Sequence, residues 1–423
     1  MSGRGLLIAA PSSGSGKTTI TLGLLRALSR RGLVRGAKSG PDYIDPKFHE
    51  AACGRPCLNL DAWAMTPDRM RALSYGSETL IVEGAMGLFD GAGMSGSGSA
   101  ADVARHLNLP VVLVVDCSRM AHSVAALVKG FMVHDPSLVI TGVILNKVGS
   151  DKHAAMISAA LADVVPVLGA VPRRTDLIHP SRHLGLVQAG ERADLETWLE
   201  DVADLIETHV DLDALAPAPL SRGTATGLPP PAQSIAVAHD IAFAFAYPHI
   251  LRDWRDAGAE VSFFSPLNDE PVPQCDLVYL PGGYPELHAG RIADNSNFLN
   301  SIRSAAEAVD IYGECGGYMI LGKGLVDANG VRHQMAGLLN LETSFQAPKL
   351  HLGYRMLSAS KGPIQGHYRG HEFHYATTVS AAGDPLFDAH DADGIALDPM
   401  GLRHGRVAGS FAHIIDRILP PSR

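Results

Sequence analysis

Cysteine is scarce in this chain, and long apolar runs are missing. Five cysteines (Cys53, Cys57, Cys117, Cys275 and Cys315) occur among 423 residues, an odd and scattered set that fits a reducing compartment better than a disulfide framework. Cys53 and Cys57 have no second Cys or His pair spaced nearby to complete a metal site. No apolar run reaches the roughly 18 residues of a membrane span, and the stretch at 6–10 is too short for a signal sequence. The expectation is a cytoplasmic protein without a membrane partner. Basic residues are outnumbered, 35 Lys and Arg against 44 Asp and Glu, for a formal net charge of −9. That sign argues against broad nucleic-acid binding and allows an anionic ligand only where bases cluster locally.

Hydrophobic residues make up 46% and charged residues 19%, ordinary values for a folded chain with real cores. The length exceeds a single core, and two domains are expected. Short β-branched runs alternate with helical patterns through the first half (GLLIAA, TLIVEGA, PVVLVVDC, LVITGVILNKV), which predicts a parallel α/β sheet. In the first helix Ile20, Leu24, Leu25 and Leu28 share one side, so Arg26 and Arg30 are expected to face water, with Gly32 as the stop. Residues 216–234, APAPLSRGTATGLPPPAQS, lack periodicity and read as an interdomain linker. A second α/β pattern follows. The boundaries drawn are 1–212 for the first domain, 213–233 for the linker and 234–423 for the second domain.

Directly after the first strand comes APSSGSGKTT, then an amphipathic helix, the context of a phosphate-binding loop. Ser13, Gly14, Ser15, Gly16 and Thr19 let backbone N–H groups turn inward, Lys17 reaches β- and γ-phosphates, and Thr18 is placed for magnesium. Pro11 stands where the standard pattern has glycine, so the loop is a variant. In KSGPDYIDPKFHE, Asp42 and Asp45 suit Mg²⁺ or the orientation of an attacking group, and Lys38 and Lys47 suit anions; a solvated loop is the plain alternative. TLIVEGAMGLFDG delivers Glu83 off a buried strand, where a carboxylate needs a cation, and it reads as a second magnesium ligand. Asp90 is a substrate-side candidate against a plain turn aspartate. Asn146 ends a strand where nucleotide-binding sheets often read the base. Arg173, Arg174, Arg182 and His183 form a basic cluster suited to ATP phosphates or a polycarboxylate, with solubility as the alternative.

In IYGECGGYMILG, a strand ends at Cys315 on a glycine-flanked turn before a helix, the arrangement of an exposed nucleophile. The helix N-terminus beginning near Gly316 is expected to lower the thiol pKa and donate N–H groups to an oxyanion, and the flanking glycines leave room for a substrate. Burial as inert structural cysteines is the reading for Cys117 and Cys275. His413, in GSFAHIID, is the favoured base over His371 and His374. GHEFHY admits a metal reading but lacks the HExxH helical spacing. Gly282 and Gly283, in PGGYPE, suit the other side of an oxyanion hole.

PGGYPE, GECGGYMILG, GHEFHY and GSFAHIID, in this order, resemble a class I glutamine amidotransferase domain of the cobyric-acid-synthase-like branch. APSSGSGKTT, GPDYIDPKFH, VEGAMGLFDG and PSRHLGLV resemble the dethiobiotin-synthetase-like ATP domain of the same enzymes. The resemblance covers nearly the whole chain, and GPDYID and RHLGL point to the branch that makes a,c-diamides of cobyrinic or hydrogenobyrinic acid. It implies a P-loop parallel sheet joined to an amidotransferase-like α/β domain, with glutamine hydrolysed at Cys315 and the corrinoid's a and c carboxylates amidated through acyl phosphates. It further implies ATP and Mg²⁺ at Lys17 and Thr18, with Asp42, Asp45 and Glu83 handling metal and phosphorylation. Asp90 and the Tyr43, Ile44 pair then lie towards the substrate, and a homodimer is expected. Many amidotransferases carry glutamate two residues after the catalytic histidine; Ile415 stands there and Asp416 is the nearest acid, so the expectation is a two-residue Cys–His site. The rival readings are a nucleotide-switched partition ATPase, which has no use for Cys315, and a regulatory protein with an inactive amidotransferase domain.

Overall fold

The computed structural model describes residues 3–177, 181–182, 185–186 and 188–418. It divides into two compact units, Met1–Thr226 and Gly227–Arg423. No helix among the described residues is long and apolar enough to cross a membrane.

The first unit is built on an eight-stranded sheet. Its strands are β1 (Arg4–Ala9), β2 (Val34–Ser39), β3 (Leu58–Leu60), β4 (Thr79–Glu83), β5 (Val111–Asp116), β6 (Ile140–Val148) and β7 (Val167–Pro172). They lie in the order β3-β2-β4-β1-β5-β6-β7, and every neighbour is parallel. Strands covered on both faces read as continuous apolar runs, and Leu6, Leu7, Ile8, Val112, Leu113 and Val114 are all buried. The eighth strand comes from inside the segment read as a linker. Ala218–Pro219 pairs antiparallel with Arg4 and Gly5, Leu220 is buried, and Thr224 binds Asp68 through both its amide and its hydroxyl. Proline is tolerated there because the pairing is short and at the rim.

Helix α1 (Lys17–Ser29) buries Ile20, Leu22, Leu24 and Leu25. The side expected to face water meets a second helix, Leu195–His209: Arg30 pairs with Asp204 at 2.8 Å and Glu207 at 2.9 Å, and Arg26 pairs with Glu196. Acidic residues some 170 positions away took up those arginines, which helical periodicity cannot foresee. The helix also ends at Ser29, before Gly32, whose amide still bonds Leu28 O.

The second unit has a six-stranded sheet ordered Glu260–Phe264, Ser234–Ala238, Leu277–Leu280, Asp310–Glu314, Val407–Ser410, Leu402–His404. The first five run parallel and the last is antiparallel. An antiparallel sheet follows in which His351–Ala359, Gly366–His374 and Ala412–Arg417 are adjacent. The chain therefore passes from Val407–Ser410 in one sheet to Ala412–Arg417 in the other within one residue. That short crossing sets His413 next to the end of the parallel strands.

Candidate active sites

In the first unit three strands end together. β1 leads into the phosphate loop, and β2 and β4 pair so that Lys38 stands opposite Glu83, which in turn stands opposite Ile8 of β1. Gly14 and Gly16 hold φ of 79° and 83°, the left-handed region glycine enters without steric cost. A cavity of about 460 Å³ opens over residues 12–20 and is lined further by Asn146, Lys147, Arg174 and Leu177.

Glu83 is the hub of this centre and is fully buried. Its Oε1 accepts from Thr18 Oγ1 at 2.6 Å and from Lys38 Nζ at 2.8 Å, with Lys17 Nζ 4.0 Å away. Its Oε2 lies 2.7 Å from His49 Nε2. Burial alone would push the carboxyl up, but Lys38, His49 and Lys17 hold it well below the ordinary range. Lys38 also donates to Asp45 Oδ2 at 2.6 Å, and those two carboxylates outweigh its burial to keep it charged. Asp42 Oδ1 accepts the amides of Ile44 and Asp45 in the turn that leads into α2 (Asp45–Cys53), while burial and the Asp45 charge push its carboxyl up to about 6. Thr18, Asp45 and Glu83 offer hard oxygen donors beside a phosphate loop, a donor set that fits Mg²⁺.

Other residues of the sequence reading stand in less direct positions. Asn146 Nδ2 donates to Ser15 O at 2.9 Å, and Lys147 Nζ bridges Gly14 O and Asp116 Oδ2 at 2.8 and 2.7 Å. Both brace the loop while lining the same cavity. Tyr43 and Ile44 are buried. Asp90 is exposed and accepts the Gly87 amide at 2.8 Å, closing its own turn. Arg173 is exposed and bonds Val148 O through its amide, whereas Arg174 lines the cavity and pairs with Asp176. His183 and the side chain of Arg182 lie outside what is described. His49 was missed, although its place four residues after Asp45 on one helix face was a readable signal.

In the second unit, Asp310–Glu314 ends at Cys315, whose φ of 46° and ψ of −103° mark a strained turn before the helix Gly316–Leu321. Strain of this kind is held in place by its surroundings, here the Cys315 amide on Ser410 O at 2.8 Å. Gly282 packs over the site: a Cβ there would stand 2.3 Å from His413 Cε1, 2.8 Å from Nε2 and 3.2 Å from Cys315 Cβ. The Cε1–Nε2 edge of the imidazole thus faces the space above the nucleophile. The Gly283 amide lies 3.1 Å from where a Gly316 Cβ would sit, which gathers Gly282, Gly283 and Gly316 around Cys315.

The expected lowering of the thiol pKa is not what the geometry gives. Burial, then the charge of Glu286, raise it well above the ordinary value, and the Gly316 amide only partly counters them. A six-residue helix offers little dipole against complete desolvation. Burial, with His371 and His374, pulls His413 down to about 3. Both shifts favour a neutral thiol and a neutral imidazole at rest.

The expected two-residue site also needs correction, because a carboxylate does approach the histidine. Glu314 Oε2 lies 3.6 Å from His413 Nδ1, with both side chains buried. Ile415 is a core residue, and Asp416 Oδ1 accepts the Arg417 amide. His351, Glu372 and His374 place three ligand atoms within 4.8 Å of one another. Yet the two imidazoles stack with planes 4° apart, and Arg355 holds Glu372 Oε2 at 2.7 Å. Parallel rings aim their in-plane lone pairs side by side rather than at a common ion, so this group serves as a wall of the thiol site, where Phe373 O lies 3.9 Å from Cys315 Sγ.

With the geometry in place, comparison adds identity. The CobQ/CobB/MinD/ParA nucleotide binding domain family matches residues 6–187, and the CobB/CobQ-like glutamine amidotransferase domain family matches residues 234–417. Hydrogenobyrinate a,c-diamide synthase of Brucella anthropi is 56% identical over 98% of this chain and 98% of its own. The chain belongs to the hydrogenobyrinate a,c-diamide synthase family. Relatives of the same name from a Sinorhizobium species and from Rhodobacter capsulatus are 54% and 52% identical, each over 97% of this chain and 98% of theirs. Among solved structures, a glutamine amidotransferase aligns over 42% of this chain and 89% of its own at 17% identity and a TM-score of 0.30, too weak to carry an argument. Membership in this a,c-diamide synthase family makes the chain a glutamine-dependent amidating ligase of α/β construction with a nucleotide-binding unit.

Proposed function

We propose that this chain converts the a and c acetate carboxylates of hydrogenobyrinic acid to amides, using ATP and glutamine, in cobalamin biosynthesis. The observation that carries the reading is the thiol centre, Cys315 on a strained turn with the His413 edge and the Gly282 backbone gathered over it, in a chain that also holds a phosphate loop. A partition ATPase would need only the loop.

At the thiol centre, His413 takes the Cys315 proton as the thiolate adds to the glutamine carboxamide carbon, and backbone amides around Gly283 and Gly316 receive the oxyanion. His413 returns the proton to the departing nitrogen. Ammonia leaves, and water, deprotonated by His413, cleaves the thioester to glutamate. At the phosphate centre, the loop amides and Lys17 hold the ATP phosphates and strip charge from the γ-phosphoryl group as a substrate carboxylate attacks it. A magnesium ion held by Thr18 and Glu83, with Asp45 nearby, would supply further charge neutralisation at the phosphates. Ammonia displaces phosphate from the acyl phosphate to give the amide. Lys38 pairs with both Asp45 and Glu83, Asn146 and Lys147 keep the loop in shape, and Arg173, Asp42, Asp90, Tyr43 and Ile44 complete the surroundings. The enzyme is proposed to work as a cytoplasmic homodimer.

The test is incubation with ATP and either the metal-free or the cobalt-containing corrinoid, supplied with glutamine or with ammonium. The Cys315→Ala variant is expected to lose the glutamine-driven diamide and keep the ammonium-driven one. Undiminished glutamine-driven synthesis in that variant overturns the reading.

A further inference from the structure

His413 is the base of the thiol centre, and the two edges of its ring have different neighbours. The Cε1–Nε2 edge lies against Gly282, which also adjoins Cys315 Cβ, while Nδ1 faces Glu314 Oε2 at 3.6 Å. Glu314 immediately precedes the nucleophile. On the same strand face two residues earlier is Tyr312, whose hydroxyl donates to Glu314 Oε1 at 3.2 Å. Tyr279, opposite Tyr312 in the sheet register, donates to Oε2 at 2.6 Å, and the Ile414 amide donates to Oε1 at 2.9 Å. Three donors from three strands therefore fix a buried carboxylate whose remaining direction is the imidazole. A salt-free core has no structural need for a glutamate here, since an apolar side chain of similar volume would avoid its desolvation.

We propose that Glu314 is a positioning residue that completes a Cys315–His413–Glu314 relay, holding the Nδ1 side of the ring so that Nε2 faces the thiol and giving the imidazolium a counter-charge. It takes the place of the glutamate absent two positions after His413. The inference rests on the reading of Cys315 and His413 as the glutamine-hydrolysing pair. During turnover the Sγ proton moves to Nε2, the S–C bond forms, and the same proton leaves with ammonia as the C–N bond breaks. Water then donates to Nε2, its oxygen bonds the acyl carbon, and the C–S bond breaks with the proton returning to sulfur. Glu314 stays ionised throughout and gains no proton. At 3.6 Å, Glu314 Oε2 already stands within ion-pairing distance of an imidazolium formed at His413.

The groups around the carboxylate are the Tyr279 and Tyr312 hydroxyls and the Ile414 amide, with Tyr368 and Arg417 lining the same cavity of about 240 Å³; His371, opposite His413 in the sheet register, and His374 are the charges beside the imidazole. Burial pushes the Glu314 carboxyl up to about 7, and its three donors only partly counter that. Glutamine hydrolysis should accordingly show an acid limb near pH 7.

The experiment measures glutamine hydrolysis by Glu314→Gln, Glu314→Asp and Cys315→Ala across pH, with ammonium-driven amidation as the check that each chain is folded. Glu314→Gln is expected to lose roughly 10²-fold in kcat with the glutamine KM within about threefold, and to lose the acid limb; Glu314→Asp recovers part of the rate and the limb. Parental kcat and an unchanged limb in Glu314→Gln, with Cys315→Ala inactive, overturns the relay and leaves the glutaminase reading standing. Activity in Cys315→Ala overturns both. Should Glu314→Gln also lose ammonium-driven amidation, Glu314→Asp decides: a reduced kcat on a folded chain supports the relay, and a parental kcat and KM overturn it.

Discussion

Gly282 lies against the imidazole of His413 so closely that a Cβ there would stand 2.3 Å from Cε1 and 3.2 Å from Cys315 Cβ. Contacts that short cannot be absorbed by a flexible chain end, because both neighbours are buried and one is a ring. Gly282→Ala must therefore turn His413 or lift the 281–286 loop. A shift of about 1 Å at a reacting pair costs on the order of 10²-fold. Glutamine-driven amidation should fall by about that factor while ammonium-driven amidation persists, as product analysis of the two reactions in parallel would show. Equal losses in both would mean that the glycine serves folding alone.

The brace on the phosphate loop makes a separate prediction. Asn146 holds the loop through Nδ2 on Ser15 O, so Asn146→Ala leaves that carbonyl to water and loosens Gly14 to Gly16. A hydrogen bond of this kind is worth about 1 kcal/mol, and the KM for ATP should rise roughly fivefold. Glutamine hydrolysis measured without ATP should be unchanged. A large loss of kcat with an unaltered KM for ATP would instead give Asn146 a part in the chemistry.

These two sites differ in how much of them the residues disclosed in order. The phosphate loop and the Cys315 turn are local features, strand to turn to helix within a dozen residues, and local sterics write them plainly. Glu83 was legible because a carboxylate at the end of an apolar strand demands a cation, though the cations it met, Lys38 and Lys17, came with a histidine, His49, marked only by its place four residues after Asp45 on one helix face. Glu314 was overlooked for a physical reason: it reaches His413 through sheet register, across about 100 positions, and not through spacing along one strand. The thiol pKa was misread because the dipole of a short helix was weighed without the burial that outweighs it. The segment at 216–234 looked like a pure linker because two paired residues are too few to leave a periodicity.

Glu83 ties acid stability to activity in the first unit. Burial opposes its charge, but Lys38, His49 and Lys17 hold the folded carboxyl well below its ordinary value of 4.5. The unfolded chain binds the proton more readily, so this contribution is fully present above about pH 4.5 and fades as pH falls from there towards the folded value. Glu83→Gln leaves Lys38 and His49 facing a neutral amide, and removal of one partner from a buried pair costs roughly 3–5 kcal/mol. Thermal unfolding should show a large loss at pH 7 that shrinks below pH 4.5, with both glutamine- and ammonium-driven amidation abolished. A loss of the same size at pH 4 and pH 7 would contradict the assignment of that stability to the charge.

Glu314 carries the opposite sign, and this separates its cost to folding from its use in the reaction. Its folded carboxyl is raised to about 7 from an ordinary 4.5, so between those values the folded state binds more protons than the unfolded one. Stability from this group is complete below about pH 4.5, declines as pH rises through 7, and is flat beyond. At pH 8 the ionised form costs on the order of 3 kcal/mol. Glu314→Gln keeps the shape, an oxygen to accept from Tyr312 and the Ile414 amide and an NH2 group towards a Tyr279 hydroxyl that can turn to accept, while removing the charge, and should melt higher than the parent at pH 8 and level with it near pH 4.5. The same variant is expected to hydrolyse glutamine poorly, so a gain in stability and a loss of turnover should appear together in one protein. If the melting difference is absent at pH 8, the carboxylate is not being held at a cost, and the argument that function retains it there fails with it.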